Sequence, residues 1–363
     1  MHLCFSITAH GFGHGAISCS VINSLMNNHP DIKITVFSLL DKSYLTSRLK
    51  GEFDLIKVAN DFGMMMDSAI KVDVENSAIK YQHLFNDWPA RVEQEKAILE
   101  KLRPDCVISN ISPVTLAAAQ QLNIRTASVA PFNWAQIFKA YCLPASSVKI
   151  ENAADIYSLM ADIYNRVNYI YKPLPSVPLA QNDEIKIASI CNQMPSQNNK
   201  LLNLLPETTK KIGLIALGGL PMPLDLKNWP RLSGWHWIVD QTQDHLRDDM
   251  TQATDITLPF LELVANSDLI LTKPGYGTYC EIAAVARYKK VRVLSLVRPD
   301  WPETPFLNNF LGARVPFSEV QLEQLKSEHL ADLIIKLNKQ PYPEATVCKD
   351  GAAQLVEHLL SKL

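Results

Sequence analysis

Two histidines stand in the passage out of the first apolar run of this chain, in "HGFGHG", His10 to Gly15. Imidazole is the side chain best suited to take a proton near neutral pH. A helix starting at this point would favour its neutral, proton-accepting form. His10 and His14 are both candidates for such a base, or one of them shapes the loop. Gly11 and Gly13 keep the backbone open to an approaching substrate. Metal binding is the rival use of a histidine pair. No carboxylate or cysteine lies nearby to complete a ligand set, so no metal is expected.

A second stretch, "KPGYGTYCE", runs from Lys273 to Glu281. Gly275 and Gly277 permit a tight turn and close approach of a ligand. A helix starting near Thr278 would offer free N–H groups and a positive dipole end. Lys273 adds a charge. Together these suit a diphosphate, with the Glu281 carboxylate placed to accept bonds from ribose hydroxyls. A plain turn, followed by a helix that Thr278 and Glu281 cap, is the other reading. A third stretch, "LGGLPMP", brings Gly218 and Gly219 to a strand end. Bare backbone there could admit a phosphate or sugar, or simply turn. Neither the P-loop nor the dinucleotide pattern is present.

These loops need elements to hold them. "LCFSITA", "IKITVFSLL", "FDLIKVA", "DCVISNI" and "RTASVAP" read as strands, with helical patterns at Ala16–Asn27, Glu75–Lys101 and Pro113–Leu122. The alternation resumes with "IKIASI", "KIGLIALGG", "WHWIVD", "DLILTKPG" and "VRVLSLV", with helices at Pro259–Ala265 and Thr278–Ala286. This is the α/β pattern of parallel, doubly wound sheets. In such sheets ligands bind beyond the carboxyl ends of the strands. The proline-rich "KPLPSVPLAQNDE", Lys172 to Glu184, reads as a linker or strand entry.

The bulk composition narrows the function classes. The 363 residues are 47% hydrophobic, enough for two cores, and the formal net charge is -2. No basic excess points to nucleic acid. Seven scattered cysteines without ligand spacing read as reduced and intracellular. No apolar run reaches membrane-span length, and a cytoplasmic protein is expected. "DFGMMMD", Asp61–Asp67, and "IYNRVNYIYKP", Ile163–Pro173, read as core and loop, or as an acceptor groove with peripheral membrane contact.

Four segments together resemble a known family. They are "ITAHGFGHG", Ser112–Tyr141, Leu217–Val239 and Leu269–Leu311. In order and content they are similar to GT-B glycosyltransferases, in particular to the glycosyltransferase-like N-terminal part of L-arabinokinase and its bacterial stand-alone relatives. The resemblance implies two Rossmann-like domains facing a cleft. Residues 1–150 would form the acceptor domain, 151–174 a linker or helix, and 175–345 the nucleotide-sugar domain. Residues 346–363 would form a helix packing back on the first domain.

The resemblance also implies site roles. Gly275, Gly277 and Thr278 would meet the diphosphate, Glu281 the ribose, and the backbone at Leu258–Phe260 the base. Glu303 would meet the sugar, and His14 would face the acceptor. The family's Ala-Thr-Arg after the histidine is replaced here by Gly15–Ser18, and Asn110 stands where relatives often carry Asp. The expected function is metal-independent, inverting sugar transfer from a nucleotide sugar, a UDP-sugar by preference, to an unidentified acceptor hydroxyl. That donor is a co-substrate, and no other cofactor is expected. The alternative is a non-catalytic sugar-nucleotide sensor or scaffold on the same fold. An epimerase would need further cleft carboxylates, of which the sequence offers no clear set.

Overall fold

Apolar runs and amphipathic segments resolve into two all-parallel sheets in the computed structural model. It describes residues 1–363 except 59–60, 145–149, 180–183, 192–200, 219–223, 241–244, 326 and 345–348. The chain divides into two compact units. One comprises Met1–Asp67, Val72–Cys191 and Lys349–Leu363, and the other Ser68–Lys71 and Asn192–Cys348.

The first unit opens with β1 (His2–Ile7), α1 (Gly13–Asn28), β2 (Lys33–Phe37), α2 (Lys42–Arg48) and β3 (Asp54–Ile56). A hairpin of β4 (Met66–Ser68) and β5 (Lys71–Val72) follows, whose tip, Ser68–Lys71, belongs to the second unit, then α3 (Val74–Asn86) and α4 (Trp88–Leu102). Next come β6 (Cys106–Asn110), α5 (Pro113–Gln121), β7 (Arg125–Val129), α6 (Trp134–Cys142), α7 (Ala153–Asn165), β8 (Tyr169–Pro173) and β9 (Glu184–Ile187). The sheet order is β3-β2-β1-β6-β7-β8-β9. The central strands β1 and β6 are buried along nearly their whole length, as strands covered on both faces must be.

Two expectations are corrected. The helical stretch Glu75–Lys101 is two helices that meet at Asp87. Pro89 has no N–H to give to the helix before it, and its ring crowds the carbonyl four residues back, so a new helix starts there instead. "IKIASI" was assigned by alternation to the second half. Its strand, β9, is the last strand of the first sheet, pairing with β8 from Ile170↔Glu184 to Pro173↔Ile187. The aromatic stretch Ile163–Pro173 supplies the end of α7 and β8, and Tyr164, Ile170 and Tyr171 are buried there.

The second unit contains β10 (Lys211–Ala216), β11 (Trp235–Val239), β12 (Met250–Gln252), α8 (Phe260–Asn266) and β13 (Leu269–Thr272). It continues with α9 (Tyr276–Val285), β14 (Arg292–Leu296), α10 (Thr304–Gly312), β15 (Phe317–Val320) and α11 (Ser327–Lys339). Its strand order, β12-β11-β10-β13-β14-β15, is that of a dinucleotide-binding sheet. One face of this sheet carries Leu217, Trp229, Trp237, Leu271, Leu294 and Leu337 in a single apolar cluster. Among the described residues, no helix is long and apolar enough to cross a membrane.

The chain then re-enters the first unit as α12 (Gly351–Leu360), which packs on α1, β8 and β9. Asp350 caps it by accepting from the Ala352 and Ala353 amides. Leu355, Val356 and Leu359 are buried beneath it, and His358 Nδ1 lies 2.9 Å from the Tyr171 hydroxyl. The helix start sits backbone to backbone on the end of β9. A Cβ at Gly351 would fall 2.0 Å from the Ala188 carbonyl oxygen, and backbone cannot give way as a side chain can. Gly351→Ala is therefore expected to destabilise the first unit by about 1–3 kcal/mol, the usual cost of overpacking. Ala353→Val, on the exposed face of the same helix, should stay within about 0.5 kcal/mol of wild type. Urea unfolding followed by circular dichroism checks this, and equal midpoints for the two variants would refute the docking.

Candidate functional site

In each sheet the order of winding reverses between the first strand and the fourth, leaving a crevice at the strand ends that no crossover covers. His14 and Asn110 lie at the first of these reversals, and Gly218 and Lys273 at the second.

In the first unit the crevice lies between β1 and β6, which pair in parallel from Leu3↔Cys106 to Ile7↔Asn110. The loop after β1 leads into α1, whose second residue is His14. Asn110 closes β6. Its Nδ2 donates to the His14 carbonyl and to Ser18 Oγ, both at 3.2 Å. A carbonyl can only accept, so this fixes the amide orientation and presents Asn110 Oδ1 to His14 Nδ1 at 2.8 Å. His14 Nδ1 is then the protonated nitrogen, and the lone pair sits on Nε2.

His14 is 6% exposed, and burial depresses its pKa to about 4, with the Asn110 bond a smaller opposing effect. Loss of solvation thus keeps this imidazole neutral, where the sequence pointed to the helix terminus. Ser18 is fully buried, and its hydroxyl accepts from Asn110 Nδ2.

An aromatic box surrounds the imidazole. Phe132 stands edge-on to it at 5.9 Å between centroids, and Trp134 is tilted against it at 5.4 Å. His10 lies 6.4 Å from His14 and edge-on to the same Trp134 at 5.4 Å. Gly11 and Gly13 have no atom within 4 Å of where a Cβ would be, and flank the exposed Phe12, which stacks on Tyr44 at 4.8 Å.

Asp61, which the sequence placed only in a stretch read as core and loop or as an acceptor groove, also belongs to this box. Asp61 Oδ2 accepts from the Thr8 hydroxyl at 2.6 Å and from the Trp134 indole at 3.0 Å. Burial raises its pKa to about 7 against those two bonds. Gly63, two residues on, packs so closely that a Cβ would lie within 2.8 Å of both His10 and Trp134.

In the second unit the crevice lies between β10 and β13. Gly218 leaves β10 with φ +77°, and its missing Cβ would stand 3.7 Å from Lys273 Cε. Gly219 lies outside the described residues. The Gly218 amide donates to Asp240 Oδ2 at 2.8 Å, from the end of β11. Lys273 Nζ reaches the Ala69 carbonyl at 3.1 Å. Its pKa is lowered to about 8, mostly by burial and then by the charge of Arg298, while Asp240 opposes the shift. Asp240 is itself raised to about 6 by burial.

Arg298, at the end of β14, is buried with its guanidinium 4.0 Å over the Trp301 ring. The Trp301 indole in turn donates to Glu303 at 3.3 Å. Asp240 and Arg298 are additions to the residues named from sequence. Nothing in the local pattern marked Asp240, because it meets Gly218 from the end of the neighbouring strand.

The helix after Lys273 begins at Tyr276, two residues before the expected start. Gly275 is its N-cap and supplies no side chain to the first amides. Thr278 is therefore the third helical residue, and the Thr278–Glu281 capping box is absent. Glu281 is buried in the second turn of α9. The neighbouring helix α8 packs on α9, starts at Phe260, and is preceded by Leu258, whose amide donates to the Ile256 carbonyl at 2.8 Å. No group of three metal-ligating side chains occurs among the described residues.

No family model matches the chain. In sequence it is similar to L-arabinokinase of Arabidopsis thaliana, with 26% identity over 380 residues. That match covers 99% of this chain and 34% of the plant protein, so the chain spans about a third of its relative. Solved structures resemble it over nearly their full length. A glycotransferase of kitacinnamycin has a TM-score of 0.63 at 14% identity, covering 100% of this chain and 94% of its own. The spinosyn rhamnosyltransferase SpnG has 0.61 at 11%, covering 99% and 100%. UGT89C1 of Arabidopsis thaliana, solved with UDP, has 0.56 at 12%, covering 99% of each chain. With its two parallel sheets and these likenesses, the chain has the GT-B fold of the glycosyltransferases.

Proposed function

We propose that the protein transfers a sugar from a nucleoside diphosphate sugar, with UDP as the favoured nucleotide, to a hydroxyl of an acceptor. The observation that carries this reading is the strand-end cluster of the second unit. Lys273, half-buried, and Arg298, buried, are two cations of which the second lowers the first's readiness to charge, beside a bare Gly218 and the uncapped start of α9. A diphosphate would relieve that electrostatic penalty, and helix amides and cations would stabilise its departure. Glu281 would accept from the ribose hydroxyls, Leu258 and Phe260 would border the base, and Glu303 would meet the sugar. The UDP-bound plant neighbour supports the choice of nucleotide.

In the first unit, His14 Nε2 would take the proton of the acceptor hydroxyl as its oxygen attacks the anomeric carbon. The new C–O bond forms while the sugar–diphosphate bond breaks, and the electron pair leaves with the diphosphate. A single displacement inverts the anomeric centre. His14 is in the neutral form this requires, but its low basicity and a neutral Asn110 partner predict slow turnover. The same two facts favour a second reading, a sugar-nucleotide sensor that binds without transfer.

Three outcomes test the proposal. Glu281→Ala is expected to weaken UDP binding at least tenfold, since each hydrogen bond to a charged group contributes about 1.5–3 kcal/mol. Unchanged affinity by calorimetry would remove Glu281 from the site. Lys273→Met should also weaken UDP, and the weakening should shrink above pH 8, where the wild-type ammonium itself begins to discharge. His14→Ala should cost about 10²–10⁴ in transfer rate, the usual share of a general base, with UDP affinity unaltered. UDP release assayed over a panel of donors and acceptors measures it. Binding without transfer in every pairing would select the sensor.

A further inference from the structure

The first unit has an acid in its site, although position 110 carries an amide. Asp61 comes from the loop after β3, and Thr8 follows β1 directly. Both donors of the carboxyl, the Thr8 hydroxyl and the Trp134 indole, fall on Oδ2. Oδ1 is sealed from solvent and has no hydrogen-bond partner among the described residues. The two donors on Oδ2 favour the carboxylate, and burial, the larger effect, favours the neutral acid.

Its contacts run toward the histidines. Trp134, which Asp61 holds by the indole N–H, is the ring packed against both His10 and His14. Thr8, which it holds by the hydroxyl, accepts from the Ile111 amide at 3.2 Å, and the Thr8 amide donates to the Asn110 carbonyl at 2.9 Å. A burial cost of this kind is a common mark of a functional group.

We propose that Asp61 is a positioning residue of the first unit's site, which fixes Trp134 against His14 and, once ionised, stabilises the imidazolium that forms on His14 as the acceptor gives up its proton. This rests on the transfer reading for the identity of the step, while the coupling of the two groups does not. A nearby carboxylate favours the charged form of an imidazole. The other titratable groups in reach are Tyr81 of α3, Glu95 of α4, Tyr164 of α7 and His10. Both tyrosines are raised well above their ordinary range by burial, with Asp61 adding to it, and stay neutral at these pH values. Glu95 is raised to about 7 by burial and feels Asp61, so its titration must be separated from that of Asp61.

The test is a pH titration of the His14 ring by NMR on the whole chain, with Asp61→Asn and Glu95→Gln as variants. Wild type should show a step in the His14 resonances near pH 7, where Asp61 ionises with the imidazole still neutral. Asp61→Asn keeps an acceptor for Thr8 and Trp134 and should abolish the step. Glu95→Gln should keep it. Trp134→Phe, which removes one donor to the charged carboxyl, should move it to higher pH.

Stability gives a second readout. Asp61 holds its proton more tightly folded than unfolded, so wild type loses stability between about pH 4 and pH 7. Asp61→Asn should therefore melt progressively higher than wild type across that window. If a donor–acceptor pair is found, transfer should rise through pH 7 in wild type, and Asp61→Asn should stay on the low plateau, about tenfold down. A His14 signal flat through pH 7, or a step that survives Asp61→Asn, overturns the proposal. Absence of transfer with the step present overturns the transfer reading and leaves the coupling standing.

Discussion

Both units are constrained by the reversal of winding beside their first strand. A right-handed crossover must place its helix on one face or the other, and where successive crossovers change face the strand ends between them stay uncovered. His14 and Asn110 occupy that place in one sheet, and Gly218 and Lys273 in the other. The side chains there sit close to apolar strands yet must hydrogen-bond. That conflict between low solvation and polarity accounts for the shifted acidities of His14, Asp61, Asp240 and Lys273 more than any pairwise charge does.

The amide at position 110 shows how such a place selects its residues. A carboxylate there would accept from His14 Nδ1, but it could not donate to the His14 carbonyl or to Ser18. The amide does all three, and ties the end of β6 to the first turn of α1 without burying a charge. The arrangement favours rigidity and a fixed tautomer over proton affinity. In the second unit the balance is opposite. Two cations are held close at some cost, and Asp240 offsets only part of it.

Much of this was legible in the sequence wherever cause and effect are local. Apolar runs of strand length followed by amphipathic stretches gave both sheets, and glycine at strand exits marked Gly218, Gly275 and the His10–Gly15 loop. Legibility ended where partners are distant in sequence. Asp61 meets Trp134 across 73 residues, and no spacing rule spans that. β8 and β9 were obscured for another reason. Their prolines and charges resemble a linker, and the polarity becomes intelligible only when Lys172 Nζ is seen, buried, donating to the Pro131 carbonyl at 2.7 Å. The start of α9 was misjudged because a threonine is a better N-cap by preference than the glycine that serves.

The return of α12 to the first unit bears on how the molecule is made. A ribosome delivers β1 through β9 early, yet the helix that covers α1, β8 and β9 emerges only after the whole second unit. Until then the apolar surface destined for Leu355, Val356 and Leu359 stays wet, at about 1.5–3 kcal/mol per side chain left unburied. The first unit is therefore completed only after the second has been synthesised. A nascent chain stalled before residue 349 would be a client for whatever in the cell shields exposed hydrophobic surface.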